Sequence, residues 1–99
     1  MLVAFSVTPI GTASTSVSDA VADAVRIVRE SGLPNRTDSM FTTIEGEWDE
    51  VMAVVRAATL AVAARTGRAS LVLKADLRPG VENALEAKVR AVEDRLAAD

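Results

Sequence analysis

Between two helical patterns lies Arg36-Thr-Asp-Ser-Met-Phe-Thr-Thr-Ile-Glu-Gly46 (RTDSMFTTIEG), and the fold turns on whether it forms one strand or two. Its threonines, Phe41 and Ile44 favour extended backbone. Its length is about twice that of a typical strand, so it reads as a hairpin bent near Ser39–Thr42. No Asn-Gly or Asp-Gly pair marks the turn.

Working outward, Trp48 to Thr66 carries Val51, Val54, Val55, Ala58 and Val62 at helical spacing, and Gly67 ends the run. Ala53, Ala57, Leu60, Ala61 and Ala63 spread apolar character around this helix, so cover is expected on more than one side. Upstream, Leu2 to Thr8 alternates as a strand, with Val3, Phe5 and Val7 on one face and Pro9 at its end. A helix follows from Ser16, its expected N-cap, with Val17, Val21, Ala24, Val25 and Val28 as the stripe and Gly32 and Pro34 as the stop. Downstream, Ala69 to Leu77 reads as a strand with Leu71, Leu73, Ala75 and Leu77 inward, and Arg78-Pro-Gly80 as a turn. Val81 to Ala97 closes the chain as a helix striped by Val81, Leu85, Val89, Val92 and Leu96. The order β-α-β-β-α-β plus a helix predicts an α+β, ferredoxin-like domain over 1–99: a four-stranded antiparallel sheet with helices on one face. The opposite face, carrying Leu2, Ala4, Met40 and Val72, is expected to associate with another copy.

Composition narrows the chemistry. The 99 residues include no Cys and no His, which removes disulfides, thiol nucleophiles, Ser-His catalysis and imidazole metal sites. A formal net charge of −3 gives no electrostatic footprint for nucleic acid or an anionic membrane. The apolar runs are short, and a cytoplasmic protein is expected. What remains favours binding over catalysis, with no cofactor and no metal.

Three groups of residues are candidates for a small-molecule site. Adjacency of first and last strands places Ser6 and Thr8 on one face with Lys74 and Asp76; the alternative is a solvated sheet surface. In Thr42-Thr-Ile-Glu-Gly-Glu-Trp48, Glu45 could accept hydrogen bonds from an amino-heterocycle or balance a cation, whereas Glu47, Asp49 and Glu50 suit a helix entry. The hydroxyls of Thr12, Ser14 and Thr15 beside Gly11 exceed what one helix cap needs, and could close over a polar ligand.

Taken together, FSVTPIGT, TIEGEWDEVMAVV and KADLRPG before the VRAVEDRL helix resemble the small thiamine-binding protein family over nearly the whole chain. The resemblance implies a ferredoxin-like fold, a homotetramer built from dimers, and binding of thiamine or its hydroxymethylpyrimidine part without known catalysis. It also implies that Ser6, Pro9, Gly11, Thr12, Ser14 and Ser16 form the first motif, and that Thr43, Glu45 and Gly46 form a middle motif at the pyrimidine end. Lys74, Asp76 and Arg78 stand in the last-strand pattern. Ser39-Met-Phe41 replaces the Pro-Met-Gly that the resemblance would place there, adding a ring and removing backbone freedom. Met40, Phe41 or Trp48 would offer a stacking face, and Asp38 or Glu45 a negative charge. The alternative is an oligomeric structural or regulatory module whose open sheet face serves only assembly.

Overall fold

A computed structural model describes residues 1–11 and 17–98. The expected N-cap Ser16 and the loop candidates Thr12, Ser14 and Thr15 lie outside the described residues. The elements are β1 (Leu2–Pro9), α1 (Val17–Glu30), β2 (Asn35–Thr37), β3 (Thr42–Glu45), α2 (Trp48–Thr66), β4 (Ala69–Asp76) and α3 (Ala84–Ala97). RTDSMFTTIEG is therefore a hairpin. Asp38 fixes its turn, accepting the amides of Met40 (2.8 Å) and Phe41 (2.9 Å) at Oδ1, which is why no Asn-Gly pair is needed.

The sheet order is β2-β3-β1-β4, antiparallel throughout, with first and last strands adjacent as the ferredoxin-like plan requires. Val3, Phe5 and Val7 of β1 and Ile44 of β3 are buried against Ala20, Ala24 and Val28 of α1 and Val51, Val55, Ala58 and Val62 of α2. Small alanines let α1 approach the sheet closely. Val17 and Val21, placed on the buried stripe by spacing alone, are 58% and 40% exposed because the stripe actually runs along Ala20, Ala24 and Val28. They flank it instead. Gly67 closes α2 in the left-handed region (φ 83°), its amide reaching the carbonyl of Ala63 at 2.7 Å.

Among the described residues β4 pairs only with β1 and forms an edge, so Leu71 stays 40% exposed although it faces the helical layer. Leu77 falls beyond the strand and is exposed. The last helix begins at Ala84, three residues later than its stripe suggested, after Asn83 in left-handed backbone (φ 57°). Its exposure climbs from Val89 (46%) through Val92 (59%) to Leu96 (67%) as it leaves the sheet.

Candidate functional site

The β1–β3 ladder ends with Phe5 opposite Thr42, while β1 continues to Pro9. Among the described residues, Ser6 to Thr8 thus have no strand neighbour on that edge, and their main-chain groups face the space beyond it. A cleft of about 170 Å³ fills this position, bounded by Ser6 and Thr8, by Val17 and Val21 of α1, and by Met40 and Phe41 of the β2–β3 turn. It offers apolar walls, a thioether, an aromatic ring and the main-chain donors and acceptors of the unpaired β1 edge, the mixture that small-ligand sites use for affinity and orientation. The turn wall is pre-formed: besides the Asp38 bonds, the hydroxyls of Thr37 and Thr42 meet at 3.2 Å beneath it. The amides of Phe41 and Met40 hold the Asp38 carboxyl below the ordinary carboxylate range, so the cleft keeps a fixed negative charge in its wall.

The other candidates separate. On the open sheet face, Thr43, Ala4 and Lys74 form one row, and Leu2 and Asp76 part of the next. Together with Lys88 of α3 they surround a second hollow of about 170 Å³. Ser6 and Thr8 share this face but stand opposite Val72 and Ser70, towards the far end of the sheet. Asp76 is bonded to Lys88, which holds its carboxyl below the usual value, with Arg78 and Lys74 acting in the same direction. Glu45 is buried (8% exposed) in β3, yet turns its carboxylate to α3, accepting the amides of Ala84 at 2.8 Å and Leu85 at 3.2 Å. Asn83 makes no side-chain cap bond, so an acid from a different element caps this helix. That role left no local signal, because 39 residues separate Glu45 from Ala84. Gly11 is outside both hollows. Its φ of 136° and the Thr66 carbonyl 3.0 Å from where a Cβ would stand give it a backbone reason to be glycine. Trp48 opens α2 half-exposed and lines neither hollow. Val17 and Val21 joined the cleft only through the fold; their sequence signal was that of core.

Comparison with known proteins agrees with this architecture. Residues 3–93 match the family model described as thiamine-binding protein. A UPF0045 protein of Mycobacterium bovis is 58% identical over 94 residues, covering 94% of this chain and 91% of its own. The crystal structure of a hypothetical protein from Methanocaldococcus jannaschii superposes with a TM-score of 0.83 at 30% identity, over 93% of this chain and 94% of that one. A Thermotoga maritima protein described as a candidate thiamine biosynthesis/salvage protein shares the fold at a TM-score of 0.75 and 20% identity, over 90% and 96% of the two chains. With a family model matching residues 3–93, and a relative this similar over nearly its whole length, the chain belongs to the thiamine-binding protein family.

Proposed function

We propose that this protein binds thiamine or its hydroxymethylpyrimidine part without transforming it, as a buffer, carrier or sensor of the vitamin in the cytoplasm. The observation that carries the reading is the cleft at the free end of β1, set in a chain of the thiamine-binding family. Its volume suits one small ring; sites for drug-sized molecules begin at about 300 Å³. Phe41 and Met40 supply a face for a pyrimidine, and the main chain of Ser6 to Thr8 at the β1 edge supplies hydrogen-bonding groups for its nitrogens and amine. Asp38, kept ionised, suits a thiazolium cation at the rim. In this reading the ligand is cargo, no resident cofactor takes part, and the working form is a homo-oligomer, a tetramer built from dimers.

The test is calorimetry with thiamine and with hydroxymethylpyrimidine. Saturable heat is expected, and Phe41→Ala should weaken binding by about tenfold, the loss of roughly one stacking contact. Lys74→Met, on the open face, should leave affinity within about twofold. Absence of heat and of a thermal shift at millimolar ligand would sink the reading. Loss of binding in Lys74→Met with Phe41→Ala unaffected would move the site to the hollow beneath α3.

A further inference from the structure

Sulfur is scarce in this chain: it has no Cys, and its three Met are the only sulfurs open to oxidation. Their surroundings differ. Met1 packs against the core, its amino group bonded to the Gly46 carbonyl at 2.9 Å, and Met52 is half-buried on α2 beside Val55, Leu60 and Leu71. Met40 is 71% exposed in the β2–β3 turn and forms part of the wall of the cleft beside β1. Its backbone is fixed independently of its side chain. The Met40 amide donates to Asp38 Oδ1 at 2.8 Å, and the Asp38 amide donates to the Phe41 carbonyl at 3.0 Å. A chemical change at the sulfur therefore alters the wall and leaves the turn in place.

We propose that the Met40 thioether is a modification site through which peroxides control the cleft: the sulfide form holds the ligand and the sulfoxide form releases it. The inference rests on the reading of this cleft as the ligand site. In the forward step a sulfur lone pair attacks one oxygen of hydrogen peroxide, forming an S–O bond as the O–O bond breaks. The departing hydroxide takes the proton from the new sulfur-bound hydroxyl, so the sulfur loses two electrons and one water is released. A thiol-dependent sulfoxide reductase reverses the change: the oxygen leaves as water and two thiols become a disulfide. The sulfide is apolar and polarisable, suited to contact with an aromatic ring. The sulfoxide is polar, and a ring laid against its oxygen strips away water without replacing the hydrogen bond. That oxygen also carries partial negative charge two residues from the Asp38 carboxylate, and the described cleft residues include no Lys or Arg to offset it.

The test starts with dilute hydrogen peroxide and peptide mass spectrometry, in which Met40 should gain oxygen at least about fivefold faster than Met52. Calorimetry with hydroxymethylpyrimidine, before and after oxidation, should show affinity falling about five- to tenfold, the loss of a sulfur–aromatic contact. Treatment with both methionine sulfoxide reductases, one for each epimer, should restore it to within about twofold. Met40→Leu should lose the peroxide response, each protein being compared with its own untreated sample, and Met52→Leu should respond like the wild type. Circular dichroism should not change on oxidation, because the bonds of the turn are untouched. Faster oxidation of Met52, a response that survives in Met40→Leu, or loss of secondary structure in step with affinity would each overturn the proposal. If the untreated protein binds neither hydroxymethylpyrimidine nor thiamine, the ligand reading fails and redox control fails with it. Binding that oxidation leaves intact overturns redox control alone.

Discussion

Glu45 shows how one side chain couples two distant parts of the chain. Its carboxylate takes two amides from the first turn of α3, where ionised acceptors are strongest and the helix dipole adds to them. Glu45→Ala leaves these amides without their partner in a largely buried place. A loss of about 1–3 kcal/mol is expected, seen as faster hydrogen exchange at Ala84 and Leu85 and earlier proteolysis of α3. Glu45→Gln keeps an acceptor and should cost less than half as much. If both variants exchange like the wild type, the cap contributes nothing. Ile44 beside it is fully buried beneath both helices, so Ile44→Ala should destabilise the fold by about 2–5 kcal/mol in denaturant titration.

At the scale of elements, the β2–β3 turn and the α3 anchor both rest on ionised carboxylates. Asp38 is held by amides, and Asp76 by Lys88; Asp23 joins α1 to α2 through Arg65, with Arg26 on its own helix as a further partner. All three have carboxyl groups lowered from the ordinary 3.8. A lowered folded-state value means that the unfolded chain takes up the proton first. The stabilisation is therefore complete above about pH 4 and drains away as pH falls through the lowered values. With no histidine, no side chain of ordinary pKa changes charge between pH 5 and 8. The melting temperature should be flat across that range and fall below pH 4, and Asp38→Asn, which keeps an acceptor in the turn, should remove part of the acid slope. A transition centred near pH 6.5 would contradict this. At the end of α2, Gly67→Ala meets nothing within 4 Å, so its cost is purely that of left-handed backbone, about 1–2 kcal/mol.

At the scale of the molecule, extents of 50 × 30 × 20 Å record a flat two-layer body with α3 running off it. The first turns of α3 are tied down on three sides, by Glu45, by Arg36 to Glu86 at 2.7 Å, and by Asp76 to Lys88. Beyond these ties its apolar stripe is open to solvent. Exposed ion pairs hold orientation more than they add stability. Arg36→Ala should therefore change global stability by less than about 1 kcal/mol while raising proteolytic nicking within α3, measured by limited digestion followed by mass spectrometry. Uniform protection of α3 in that variant would show the tie to be idle.

The sequence by itself determined the elements and their order. Alternation in β1, the 3.6-residue stripes, the glycine stops and a hairpin too long for one strand are all local, and local sterics and burial enforce them. Strand adjacency followed as well, because few topologies satisfy that order. The site depended on more. Ser6, Thr8 and Met40 go to the cleft, Thr43, Lys74 and Asp76 to the hollow beneath α3, and Glu45 to a helix cap. Their faces were legible from alternation, but their rows were not. Which residues share a row is fixed by pairing register and by where β3 stops short of β1, and both arise from contacts between segments far apart in the chain. Val17 and Val21 show the same limit, since periodicity gives a helix its apolar side while only the packed sheet decides which edge of that side is buried and which lines a cleft.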